Sequence, residues 1–138
     1  MKAIITAAGQ SSRLWETTGR EPKTLLPFGE GSILAAILHN FAQVGIRDFV
    51  IVTGYRGDLI AQHLRDHDNF GMNVQLLDNP EWHRGNGLSV LRALAYLAPE
   101  EPVILSMADH VVSPAALAAV RDAPSALNLL LVDPRIDE

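Results

Sequence analysis

With 138 residues, a net charge of −5, 48% hydrophobic and 20% charged residues, the chain suits one globular domain with a real core and is too short for two. The acidic balance argues against a large nucleic-acid surface, which needs a clustered basic excess. Cysteine is absent, which excludes disulfides and thiolate zinc sites. No apolar run approaches the ~20 residues that span a bilayer, and the N-terminal run is too short for a secretory signal. The cytoplasm is the expected compartment, with neither membrane nor nucleic acid as a partner.

In chain order, residues 2–7 (KAIITA) read as a buried strand, and 33–44 (ILAAILHNFAQV) as an apolar helix with Ser32 as its N-cap. Residues 48–53 (DFVIVT) form a β-branched second strand. A helix over 58–66 turns Leu59, Ile60 and Leu64 inward, and 73–77 is a short third strand. Residues 87–97 (GLSVLRALAYL) place Leu88, Leu91, Leu94 and Leu97 on related faces of a helix. A fourth strand covers 103–107, a helix capped by Ser113 covers 114–121, and 126–132 reads as a fifth strand. The alternation βαβαβαβαβ predicts an α/β fold with a mostly parallel sheet. Right-handed crossovers then bring the loops after Ala7, Thr53, Leu77 and Met107 to one sheet edge, where ligands bind near the reversal of strand order.

The first of these loops is long and polar. AAGQSSRL (residues 7–14) combines glycine, hydroxyls and Arg13, a set able to form an anion nest with a forked donor for phosphate oxygens. It is neither a P-loop nor a dinucleotide fingerprint, since Gly19 precedes Arg20 and residues 9–14 hold one glycine. A Gly/Ser turn with a surface arginine is the plain alternative. Further on, PKTLLP presents Lys23 between Pro22 and Pro27; the only other lysine is Lys2, the remaining nine basic residues being arginine. A lysine is a compact charge suited to a phosphate that gains charge during reaction.

A strand followed by AAGxxSRL, a gap and PKxLLP resembles the nucleotidyltransferases that join a nucleoside triphosphate to a sugar phosphate or similar phosphomonoester. The resemblance implies a Rossmann-like three-layer sandwich of the nucleotide-diphospho-sugar transferase type. It implies that Ala7, Ala8, Gly9, Gln10, Ser11, Ser12, Arg13 and Lys23 bind the nucleotide. Arg13 would hold the leaving pyrophosphate and Lys23 the reacting phosphoryl centre. Ser11 stands where many members have a second glycine. VTGYRG (residues 52–57) looks like the family's second-strand exit bordering the nucleotide, against the alternative of a plain strand-to-helix turn. Asn79 follows the third strand, where the family reads the base; an ordinary Asn-Pro turn is its alternative.

Asp109 ends the fourth strand, well placed to hold Mg²⁺, which takes a few carboxylates plus substrate phosphates. The family has its metal aspartate here, and Ser113 already supplies the next helix's cap. His110 is read as local structure or a substrate neighbour, since magnesium does not favour imidazole. In GNGLS, the Asn-x-x-Ser of Asn86 and Ser89 resembles the cytidylyltransferases for phosphocholine and inositol 1-phosphate. Together with ADHVVS it lies closest to the inositol 1-phosphate enzymes, which assigns Asn86, Ser89 and Asp109 to the acceptor substrate. The alternative makes Asn86 a helix N-cap and Ser89 a neutral first-turn residue. His63 and His67 have a metal-compatible spacing, but a solvated polar helix end is the stronger reading. Trp15 and Trp82 fall in loops near the ligand edge, lining a pocket or covering the core.

The implied reaction is Mg²⁺-dependent transfer of CMP from CTP to an alcohol phosphate, with inositol 1-phosphate favoured over phosphocholine. Rival readings are a hexose-1-phosphate or molybdopterin nucleotidyltransferase, and a non-catalytic nucleotide-binding or sensor domain. Family members run on well past the fifth strand, supplying acceptor contacts and usually a second metal carboxylate, a role not transferred to Asp133 or Asp137. Residues 1–138 are therefore expected to be a single nucleotidyltransferase domain without its acceptor-binding part, either an N-terminal fragment or a short member that binds without efficient turnover. A truncated sheet would expose an apolar face and an edge, so self-association into a homo-oligomer is expected.

Overall fold

The computed structural model of the chain describes residues 1–10, 19, 21–124 and 128–132. Its elements are β1 (Lys2–Ala7), β2 (Pro27–Phe28), β3 (Gly31–Ser32), α1 (Ile33–Gln43), β4 (Asp48–Thr53), α2 (Gly57–Asp66), β5 (Asn73–Asp78), α3 (Asn86–Leu94), β6 (Val103–Met107) and α4 (Pro114–Arg121). Four strands form one parallel sheet in the order β5-β4-β1-β6, while β2 and β3 pair as a separate small antiparallel arm. The α/β expectation holds. β1 is the centre of the sheet, with Ile5 opposite Ile51 of β4 on one side and Ser106 of β6 on the other. A strand covered on both faces has no solvent side to show, which is why, after Lys2, the strand AIITA carries no charge and only one small hydroxyl, Thr6.

The chain builds outward from β1 through β4 to β5, then returns to add β6 on the opposite flank of β1. That reversal puts the crossover helix α3 on the other face of the sheet. Ile5, Phe49, Ile51 and Ile104 meet Leu34, Ile37, Leu38 and Phe41 of α1, Ile60 and Leu64 of α2, and Leu117 of α4. Ile4, Val50, Val52 and Leu77 meet Ala93 of α3. Three layers result. The Phe41 and Phe49 rings meet edge to face at 5.8 Å inside the thicker layer.

Helix boundaries follow their caps. The Ser32 hydroxyl accepts from Ala35 N at 3.1 Å, and the Ser113 hydroxyl from Ala116 N at 3.3 Å with Pro114 at the first position. α3 departs from expectation. It ends at Leu94, its buried residues are Ser89 and Ala93, and Leu91 is 62% exposed. The helical period was read correctly and the face was not. Small residues lie against the sheet, bringing the helix close and turning the larger leucines aside.

The fifth strand is also corrected. Residues 125–127 lie outside the described residues, and 128–132 form no ladder, with Leu130 86% exposed. An apolar run becomes a strand only by pairing, and among the described residues β6 pairs with β1 alone. Among the described residues, no helix is long and apolar enough to cross a membrane.

Candidate active site

The reversal of strand order lies between β1 and β6, and the loops leaving these two strands bring together residues remote in sequence. Asp109 follows β6, whose line continues one residue further through the bond from Ala108 N to Thr6 O, 3.0 Å. Lys23 lies in a short 3₁₀ turn, Lys23–Leu25, entered from extended Pro22. The Lys23 ammonium stands 3.4 Å from Asp109 Oδ2, with the side chains 35% and 34% exposed. Asp109 Oδ1 is 2.7 Å from Nδ1 of His110. One carboxylate thus faces a fixed cation and an imidazole at the sheet edge. The long, half-solvated ammonium–carboxylate pair is the kind that adds little to stability, typically 0–1 kcal/mol. Among the described residues no three His, Asp or Glu side chains are grouped as a metal cage.

Ala7 and Ala8 are buried, whereas Gly9 is exposed and Gln10 half-buried. Ala8 O accepts from Tyr55 N at 3.2 Å, joining the first loop to the exit of β4. A Cβ at Gly54 would lie 2.7 Å from Cγ of Trp82, closer still to its Cβ, and 3.0 Å from Cβ of Ala8. The Tyr55 and Trp82 rings meet edge to face at 5.7 Å. This interlock escaped sequence reading, although a glycine at a strand exit opposite an aromatic loop residue is its trace. Ser11, Ser12, Arg13 and Trp15, which carry much of the expected phosphate contact, lie outside the described residues, as do Asp133 and Asp137.

Asn79 and Ser89 come together, but inside the protein. Asn79 is 0% and Ser89 1% exposed. Asn79 Nδ2 donates to Ser89 Oγ at 3.0 Å, and Asn79 Oδ1 accepts from Glu81 N at 3.1 Å. Base reading by Asn79 and acceptor contact by Ser89 gain no support from this arrangement, in which both side chains are buried and bond each other and the backbone. The cap alternative for Asn86 also fails: it is the first residue of α3, behind Gly85 at φ 113°, and among the described residues no side chain caps the helix. Asn86 itself is exposed at the sheet edge. Ser89 is far from a neutral first-turn residue.

His63 Nε2 is 2.9 Å from the Ser32 hydroxyl, and His67 Nδ1 is 2.8 Å from His63 O. The pair is engaged in structural contacts between α1 and α2 and within α2.

The family profile described as MobA-like NTP transferase domain matches residues 3–131. The chain is 34% identical over 126 residues to the CMP-5'-(3-aminopropyl)phosphonate synthase of Streptomyces rubellomurinus, a match covering 91% of this chain and 20% of that protein. It is 34% identical over 113 residues to the bifunctional IPC transferase and DIPP synthase of Rubrobacter xylanophilus, covering 81% of this chain and 24% of that one. The inositol-1-phosphate CTP transferase from T. maritima superposes with a TM-score of 0.72 at 28% identity, covering 86% of this chain and 47% of the other. The chain thus spans a quarter or less of these two curated relatives and about half of the solved one. With the parallel three-layer fold, the strand reversal and a match running almost from end to end, the chain belongs to the family of MobA-like NTP transferase domains.

Proposed function

We propose that the chain is the nucleotide-binding part of a cytidylyltransferase acting in the cytoplasm. It would transfer CMP from CTP to a phosphorylated alcohol, inositol 1-phosphate before phosphocholine, and release pyrophosphate. The observation that carries this reading is the meeting of Lys23 with Asp109 at the strand reversal, 86 residues apart in sequence. Two similar proteins support the choice of nucleotide, since their names specify a CMP product and a CTP transferase.

An acceptor phosphate oxygen forms a bond to the α-phosphorus of CTP while the bond to the bridging oxygen breaks and pyrophosphate leaves. The acceptor is already ionised, so no protein nucleophile is needed. Catalysis is then positioning and charge neutralisation. Lys23 lies against the phosphoryl centre as its charge grows, and Arg13 holds the departing pyrophosphate. Ala7, Ala8, Gly9, Gln10, Ser11 and Ser12 wrap the triphosphate, and Asn86 reaches the substrate from the start of α3.

The donor set suits Mg²⁺ in its usual phosphate-sharing mode. Asp109 offers carboxylate oxygens that are a third exposed, and Mg²⁺ is commonly held by one or two carboxylates plus substrate phosphates. When bound, the ion would neutralise phosphate charge and align the reacting oxygens. Lys23 would then exchange its carboxylate partner for phosphate.

Pyrophosphate release measured with CTP, UTP, dTTP and GTP, each with inositol 1-phosphate, phosphocholine or glucose 1-phosphate, tests the reading. CTP with an alcohol phosphate should lead the panel. Lys23→Ala should lose about 10²-fold in kcat, by analogy with other lost charge-stabilising donors; an unchanged kcat would overturn the assignment of Lys23. Magnesium-dependent CTP binding in calorimetry without pyrophosphate release would instead favour a binding-only domain.

A further inference from the structure

The buried contact between Asn79 and Ser89 joins the two sides of the candidate nucleotide site. Asn79 N donates to Thr53 O at 2.8 Å, fixing the residue to the end of β4. Its carbonyl accepts from Trp82 N at 3.1 Å, and its side-chain oxygen accepts from Glu81 N at 3.1 Å. The side-chain amide then reaches across to the hydroxyl of Ser89 in the first turn of α3. One residue therefore links the β4 exit through its backbone N–H, and the turn after β5 and the opening of α3 through its side chain. The link matters because, among the described residues, no side chain caps the start of α3. Gly85 has φ 113°, and a Cβ at Gly87 would meet nothing within 4 Å among the described residues. Ser89 and Ala93 are the helix's only residues that are fully buried.

We infer that Asn79 and Ser89 form a positioning strut that sets the height of the first turn of α3, and with it exposed Asn86, above the sheet edge. This rests on the nucleotide-site reading but replaces direct contact by Asn79 and Ser89 with action through α3. The mild probe is Ser89→Ala, which removes one oxygen and leaves the Asn79 amide without its partner. Such an unpaired buried group is costly, so destabilisation alone says little. The discriminating measurements are local exchange and nucleotide affinity, set against a Leu64→Ala control. Leu64 is a buried residue of α2, in the layer on the other face of the sheet.

In the ligand-free protein, Ser89→Ala should speed amide hydrogen exchange across residues 86–92 while leaving β1 and β4 protected. Leu64→Ala should not reproduce that pattern. In calorimetry with Mg²⁺ and CTP, Ser89→Ala should bind at least fivefold more weakly, and Leu64→Ala should bind as the unchanged protein does. The double variant Asn79→Ala/Ser89→Ala should be no weaker than the worse single, as for two ends of one strut. Unaltered exchange in 86–92, unaltered affinity in Ser89→Ala, or an equal loss in Leu64→Ala would each overturn the strut. Failure of the unchanged chain to bind any of CTP, UTP, GTP or ATP would overturn the nucleotide-site reading instead, and the exchange data would still decide whether the strut holds α3.

Discussion

A methyl group added at Gly54 would meet Trp82 at 2.7 Å and Ala8 at 3.0 Å. The Trp82 atoms at issue lie beside the backbone, so swinging a flexible tip away cannot relieve the overlap. The turn after β5 or the exit of β4 would have to move, and Ala8 with it. Gly54→Ala should therefore cost about 1–3 kcal/mol, the usual range for overpacking, and weaken CTP binding because the first loop shifts. Urea unfolding and calorimetry would check both, and an unshifted unfolding midpoint would show that the interlock is loose. At this scale the sequence marked chemistry better than environment. Lys23 and Asp109 stood out because their residue types suit phosphate and metal. That they face each other was hidden, since 86 residues separate them and only the crossover topology brings them together. For Asn79 and Ser89 the residue types suggested contact with a ligand, but burial turns their hydrogen bonds inward. The Thr24 hydroxyl, buried next to Lys23 in sequence and without a partner among the described residues, carried no sequence signal at all.

Between elements, His63 of α2 contacts the cap residue of α1, and its partial burial predicts a response of the fold to acid. Ser32 Oγ accepts from Ala35 N and also contacts His63 Nε2. Burial holds the His63 pKa below its ordinary 6.5, helped by neighbouring His67 and opposed by Asp66. A histidine with a depressed pKa binds fewer protons folded than unfolded. Its share of stability is thus complete above about 6.5 and is lost as pH falls toward the folded-state value. Melting temperature should drop between pH 7 and pH 5 more steeply in the unchanged protein than in His63→Gln, which keeps an amide for Ser32 without titrating. Parallel curves would remove His63 from the acid response. Capping residues were legible here, because Ser32 and Ser113 each precede a helix with a hydroxyl. The orientation of α3 was not, because a period fixes spacing and leaves open which stripe faces the sheet.

For the whole molecule, the strand order β5-β4-β1-β6 explains both the placed site and the exposed surface. The alternation of apolar runs and helices made the parallel sheet readable, and the right-handed rule pointed to the edge that carries the candidate site. The run at 126–132 looked equally convincing, but its described part, 128–132, pairs with no strand among the described residues, and no local pattern reports pairing. β6 now ends the sheet among the described residues, and Ile104 points toward the layer of α1 and α4. Leu105 and Met107 point the opposite way by strand alternation, where α3 packs over β4 and β1 and leaves them open. Leu105 is 52% exposed, and Leu91 and Leu94 of α3 add apolar surface on the same side. An unpaired edge beside exposed leucines favours association with another edge. Sedimentation of this chain over two decades of concentration should show a weight-average mass rising above the 15.0 kDa of one copy. Leu105→Glu should hold the mass near one copy while changing unfolding free energy by no more than about 0.5 kcal/mol, as for other exposed substitutions. A constant monomer mass in the unchanged chain would show that this edge and its leucines do not drive self-pairing. A mass that rises equally in Leu105→Glu would move the contact to another face, with the exposed leucines at 129–131 as the next positions to charge.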